Sequence, residues 1–282
     1  MSHLRNLFHQ PSNHEGIQSA ISLATAPENP VIPSKVATAA PLLPEYRVEE
    51  AHVGSENRLV FHTDPRSPAA DRYRLLRMKL KTLAKTGKLK KLLITGPLAH
   101  DGKSTVVMNL ATALAERGKH RVLVVEADLH NSSLGDRLKL KPWAGLTECL
   151  VDHTTQPLSV IRRIEPLGWY LLPAGEPRRN PTELLQTPAF GHVMEQLSPC
   201  FDWILIDSPP VIPLTDSISL QQHVDASLLV VRSGRTPREA VEKTIELLGK
   251  KNILGVVLNG MEARDHLYYQ YYDGTKRHHD ED

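Results

Sequence analysis

Several things are scarce in this chain of 282 residues, and each scarcity narrows what it does. Only 5% of the residues are aromatic, cysteine occurs twice, and the formal net charge is +2. Charge this close to balance gives no global pull toward nucleic acid or a membrane surface, so no nucleic-acid partner is expected. Cys149 and Cys200 are far apart and carry no metal-ligand spacing, which predicts reduced thiols rather than a disulfide framework. No His-x-x-x-His or Cys-His spacing occurs, and the pair His278-His279 lies in a charged tail. No stretch approaches the roughly 18 apolar residues of a membrane span. The opening Met1-Ser2-His3-Leu4-Arg5-Asn6 leads into no apolar signal core. These absences predict a cytoplasmic chain that reaches the inner face of the membrane only through a partner.

What is present centres on Leu92-Leu93-Ile94-Thr95, the loop Gly96 to Gly102, and Lys103-Ser104-Thr105 opening a helical pattern. This is the order strand, phosphate-binding loop, helix. A helix starting here aims free N–H groups and a positive dipole end at the loop. The candidate nucleotide-binding residues are Asp101, Gly102, Lys103, Ser104 and Thr105. Lys103 supplies a full positive charge for terminal phosphates, and the Ser104 hydroxyl suits magnesium, a hard cation that takes oxygen ligands. The loop departs from the usual pattern at Pro97, where glycine is expected. No Gly-x-Gly-x-x-Gly follows the strand, which counts against a dinucleotide site.

Around this unit the chain alternates. Strands are expected at Leu92–Thr95, Val122–Glu126, Trp169–Leu172, Trp203–Asp207, Ala226–Val231 and Ile253–Leu258. Helices are expected at Ser104–Arg117, Thr182–Leu197, Thr215–His223 and Pro237–Lys250. Near-continuous apolar strands alternating with helices predict an α/β fold of the P-loop NTPase type, a doubly wound and mostly parallel sheet. Ahead of it, Tyr73, Leu76, Leu80 and Leu83 recur at helical spacing within Asp71 to Leu83, and Asp71, Arg74 and, a turn later, Arg77 or Met78 fall on a neighbouring face. Residues 1–60 lack sustained periodicity and read as a flexible leader. Residues 61–264 read as the domain and 265–282 as a tail.

Ligands of such sheets sit beyond the carboxyl ends of the strands. Val122-Leu123-Val124-Val125 ends in Glu126-Ala127-Asp128, and Ile204-Leu205-Ile206 ends in Asp207-Ser208-Pro209-Pro210. One carboxylate there can hold magnesium, and another can take a proton from an attacking hydroxyl. The metal role suits Asp207. Asp128 is functional on the same reasoning, and Glu126 reads as ligand, base or neither.

With these motifs the chain resembles the bacterial tyrosine kinases of capsule and exopolysaccharide production, over roughly residues 66 to 274. Asp71-Arg72-Tyr73-Arg74-Leu75-Leu76-Arg77 resembles that family's Glu-x-x-Arg-x-x-Arg self-association helix. Leu172-Pro173-Ala174-Gly175 through Asn180-Pro181-Thr182-Glu183-Leu184-Leu185 is similar to a family loop and helix start. Tyr268, Tyr269, Tyr271 and Tyr272 resemble the C-terminal tyrosine cluster, and they are four of the chain's seven tyrosines. The resemblance implies ATP with magnesium, transfer of the terminal phosphoryl group to those tyrosines, and a ring in which one subunit modifies its neighbour. It assigns the phosphate role to Lys103 and Ser104, and metal or base roles to Asp128 and Asp207. It also implies a separate membrane partner, a chain-length determinant of the export system. The chain departs from the family at Ala99-His100, where a glycine is missing, at Glu126 in place of aspartate, and at His130 in place of arginine. Two other readings follow from the residues: a catalytically weak nucleotide-binding scaffold of the same export system, and a partition-type positioning ATPase. The second normally needs another lysine early in the loop, where this chain has Leu98.

Overall fold

Alternate side chains of the apolar strands point to opposite faces, so a strand buried throughout needs helices on both sides. The computed structural model meets this demand; it describes residues 21–23, 46–85, 87, 89–152 and 154–261. Its strands are β1 (Ile21–Leu23), β2 (Arg47–Glu50), β3 (Lys91–Thr95), β4 (Val122–Glu126), β5 (Arg162–Glu165), β6 (Trp169–Leu172), β7 (Trp203–Asp207), β8 (Ala226–Arg232) and β9 (Ile253–Asn259). They form one sheet in the order β1-β9-β8-β3-β7-β4-β6-β5-β2. The run from β9 to β6 is parallel throughout, so five carboxyl ends near the middle, those of β9, β8, β3, β7 and β4, share one edge. β5 is antiparallel to β6 and parallel to β2, and β1 is antiparallel to β9.

One face carries Leu92, Ile94, Val122, Val124, Leu205 and Val230 against the helices Pro68–Ala84 and Lys103–Ala115. The other carries Leu93, Leu123, Val125, Ile204 and Ile206 against Leu146–Val151 and Pro188–Leu197. The helix Lys103–Ala115 is apolar nearly all round because it is wedged between the sheet and the helix Pro68–Ala84. Of its polar residues, Lys103 and Asn109 are buried as well.

Three expectations change. The helix over Thr182–Leu197 is two, Pro181–Gln186 and Pro188–Leu197. Pro188 has no N–H for the turn before it and holds Thr187 extended, at φ −73° and ψ 155°. Residues 46–60, assigned to the leader, belong to the fold. Arg47–Glu50 is an edge strand held by backbone pairing to β5 and by an Arg162–Glu49 ion pair, and Asn57 and Leu59 are buried. Third, β5 is a strand although it reads Arg-Arg-Ile-Glu, because only Ile164 faces the core and Arg162 lies over the Trp143 ring, 4.3 Å from its centroid. The tyrosines 268, 269, 271 and 272 lie outside the described residues. No helix among the described residues is long and apolar enough to cross a membrane.

Candidate active site

The loop from Gly96 to Gly102 leaves β3 between β8 and β7, where the crossovers run to opposite sides. Two glycines are required by geometry. A Cβ on Gly96 would lie 2.6 Å from the Val230 carbonyl oxygen; Gly102 has φ +94°, and a Cβ there would lie 2.0 Å from Asn259 Nδ2. His100 takes a left-handed φ of 66° without being glycine, and its carbonyl accepts from Arg232 Nη1 at 3.1 Å. Asp101 is buried and its side chain is spent on the loop itself. One oxygen accepts from the Leu98 amide (2.9 Å) and the other from the Thr236 hydroxyl (2.6 Å). Asn259 Nδ2 donates to the Asp101 carbonyl at 2.9 Å. The ends of β8 and β9 therefore brace the loop from outside.

Lys103 is 7% exposed, and its ammonium reaches back to the Leu98 carbonyl at 3.3 Å. Burial lowers its pKa, opposed by the negative charges of Asp207, Asp128 and Asp101. Asp207 ends β7 between Ile94 of β3 and Glu126 of β4 in register. Burial raises its pKa first of all, with Glu126 and Asp128 pushing the same way; the Ser104 hydroxyl bond and Lys103 oppose. One of its oxygens, Oδ1, is buried with no hydrogen-bond partner. A buried carboxylate oxygen without a donor, beside a serine hydroxyl and a lysine, is a donor set that fits a hard cation.

Asp128 is less enclosed. Its carboxylate accepts from the Asn131 amide at 3.1 Å, and burial raises its pKa while Lys103 and His130 lower it. Glu126 differs from both. Its Oε1 accepts from the Ser133 and Leu134 amides, each at 2.7 Å, and its Oε2 from the Ala174 amide at 3.2 Å. The carboxylate thus joins the start of the short helix Leu134–Arg137 to the loop after β6. Of the three readings left open for Glu126, this engagement favours neither ligand nor base. Ser104, Thr105, Lys103 and Asp128 line one cleft of about 790 Å³, together with His130 and Arg232, a size suited to a small-molecule ligand.

Asp71, Arg74 and Arg77 stand away from this cleft. On the helix Pro68–Ala84, Arg74 pairs with Asp71 (2.6 Å) and donates to the Pro65 carbonyl (2.6 Å), while Arg77 donates to the Ala113 carbonyl (3.2 Å). These contacts are internal, and Arg74 and Asp71 keep 40% and 56% of their side-chain surface.

Sequence reasoning missed Asn109, Asp216, Arg232, Thr236 and Asn259. Asn109 accepts from the Val60 amide and donates to the carbonyls of Arg58 and Thr105, all at 2.9 Å. It fastens residues 58–60 to the phosphate-loop helix, and an asparagine amid apolar helix residues was the visible signal. Arg232 and Asn259 are polar residues at strand carboxyl ends, the same cue that singles out Asp207.

The family model for the CobQ/CobB/MinD/ParA nucleotide binding domain matches residues 92–280. The tyrosine-protein kinase YwqD of Bacillus subtilis is 30% identical over 223 residues, which are 78% of this chain and 93% of that protein. The succinoglycan biosynthesis transport protein ExoP of Rhizobium meliloti is 29% identical over 219 residues, 76% of this chain but 28% of that longer protein. Among solved structures, the kinase domain of Escherichia coli tyrosine kinase ETK matches with a TM-score of 0.69 at 27% identity, covering 73% of this chain and 81% of that one. The chain belongs to the CobQ/CobB/MinD/ParA nucleotide-binding family and, within it, to the bacterial tyrosine kinases.

Proposed function

We propose that this chain is a protein-tyrosine kinase of an exopolysaccharide or capsule export system, using ATP with magnesium and modifying its own tail tyrosines. One observation carries the reading: the buried, unpartnered Oδ1 of Asp207, beside Ser104 and Lys103 at the foot of the phosphate loop. Magnesium, held by Ser104 and Asp207 with Asp128 as a further oxygen donor, would draw negative charge away from the phosphates. Lys103 neutralises charge on the transferred phosphoryl group, and the amides opening the helix at Lys103 hold the phosphates. Asp128, at the open side of the cleft and with its proton affinity raised by burial, accepts the proton of the attacking tyrosine hydroxyl. Asp101 and Glu126 act through the loops they fasten. Tyr268, Tyr269, Tyr271 and Tyr272 are the acceptors. Asp71, Arg74 and Arg77 form a subunit contact in a homo-oligomer, and a separate membrane protein of the export system brings the assembly to the inner face of the membrane.

Support for the partner comes from the relatives: the chain matches about a quarter of the longer ones, among them a transport protein. Leu98 in place of an early loop lysine weighs against a positioning ATPase. The test is incubation of the pure chain with ATP and magnesium, followed by mass spectrometry of the tail peptide. We expect phosphotyrosine in the wild type and none in Lys103→Ala. Equal labelling in both, or nucleotide binding with no labelling in the wild type, refutes the kinase reading; the second outcome would favour the scaffold.

A further inference from the structure

Asp216 is fully buried, yet it belongs to no part of the phosphate loop. It opens the helix Asp216–Gln221, which follows the loop leaving β7. One of its oxygens, Oδ2, lies 2.7 Å from Nε2 of His130; the other has no hydrogen-bond partner. His130 follows Asp128 by two residues on the loop leaving β4, and its Nε2 also lies 3.2 Å from the Thr182 hydroxyl. The neighbouring Ser217 Oγ donates to the Pro209 carbonyl (2.7 Å) and lies 3.0 Å from Ser208 Oγ and 3.1 Å from Thr95 Oγ1. Two adjacent residues therefore touch the last residue of β3 and the segments that leave β4 and β7, three of the strands whose ends meet at the cleft.

A carboxylate taken out of water is costly unless it is paired. His130 supplies the side-chain contact that Asp216 has, and Asp216 gives the β4 loop an anchor in the protein interior. Asp128 lacks such an anchor of its own, since its carboxylate accepts from the backbone of its own loop. We propose that His130 and Asp216 are positioning residues for phosphotransfer: their contact locks the β4 loop onto the helix after β7 and so fixes where Asp128 stands. The proposal rests on the kinase reading for what Asp128 does, but not for what holds it. Neither side chain hydrogen-bonds to the phosphate loop, and only His130 of the two lines the cleft, so the positioning effect is read from loop order and turnover.

The test uses the full chain with His130→Ala, His130→Gln and Asp216→Asn. Glutamine keeps an N–H donor near the place of Nε2 and no charge. In His130→Ala we expect amide exchange across residues 129–133 to quicken by about tenfold or more. Labelling at saturating ATP should fall by roughly a hundredfold, the scale of a ~1 Å misplacement. Affinity for a fluorescent ATP analogue should stay within about threefold of wild type in Asp216→Asn, whose side chain is buried and does not line the cleft. His130→Gln should recover most of both losses, and Asp216→Asn, which keeps the buried volume, should quicken the same amides. Wild-type exchange in His130→Ala, alanine and glutamine variants that are equally slow, or an unchanged loop in Asp216→Asn overturns the proposal. A wild type that labels no tyrosine sinks the kinase reading instead, and the exchange comparison still decides whether the pair holds the loop.

Discussion

Glu126→Gln separates two accounts of the residue that this chain carries where the kinase family has aspartate. In the structure the side chain is 3% exposed and accepts from three backbone amides. Glutamine can keep its carbonyl oxygen on the Ser133 and Leu134 amides. Its amide group then faces the Ala174 N–H, donor against donor. One buried bond is lost and one group is left unsatisfied, a cost of about 1–3 kcal/mol. Burial raises the pKa of Glu126, and its charge in turn raises that of Asp207. Glutamine removes this repulsion, which offsets part of the loss and leaves about 1–2 kcal/mol of destabilisation. For a domain of this size that lowers the melting temperature by roughly 3–6 °C. If Glu126 only fastens the loops, labelling measured below the transition should stay within about tenfold of wild type, whereas loss of a general base would cost about 10²–10⁴. Urea unfolding and tail phosphorylation on the same preparations decide it. Loss of labelling beyond a hundredfold with an unchanged unfolding midpoint would refute the structural account and make Glu126 the base.

Burial holds the folded-state pKa of Asp207 above its unfolded value, so its contribution to stability is complete at acid pH and is lost as pH rises from about 4 toward neutrality. Urea unfolding across that range, without divalent cations, should show stability falling with pH, and Asp207→Asn should flatten the slope. Gly102→Ala must put a side chain at φ +94° and against Asn259; we expect nucleotide affinity to fall by about tenfold or more, with Asn259→Ala failing to rescue it because the backbone cost of roughly 1–2 kcal/mol remains. Asn109→Ala leaves the Val60 amide and the Arg58 carbonyl without their partner, and thermal unfolding should register about 2–3 kcal/mol of lost stability.

The sheet was legible because burial on both faces leaves a mark on composition. Val122–Glu126, Trp169–Leu172 and Trp203–Asp207 are apolar runs of strand length, and each is a strand over those same residues. Arg47–Glu50 and Arg162–Glu165 carry no such mark. They lie toward the sheet's edge and are held by backbone bonds, ion pairs and a ring contact, so charge does not exclude them. Short helices such as Leu146–Val151 escaped for a related reason, since six residues hold less than two turns of pattern. Pro188 was readable as a break and was absorbed into a longer helix because the apolar spacing on either side ran on.

At the site, the sequence offered three acids just past apolar strands and set Asp207 apart for a metal, but it left Glu126 open between ligand, base and neither. What separates them is the number of donors that each meets. Glu126 meets three amides from two separate loops, Asp128 only the backbone of its own loop at His130 and Asn131, and on Asp207 one oxygen meets none. Those donors come from residues 130, 131, 133, 134 and 174, whose approach depends on how two loops fold back over the sheet. A carboxylate saturated by amides is fixed and has little capacity left for a cation or a proton. One buried with an empty oxygen is destabilising until something arrives to share it. The count of unmet hydrogen bonds therefore makes a prediction: replacing the side chain with the fullest complement should cost stability, whereas replacing either of the others should cost turnover.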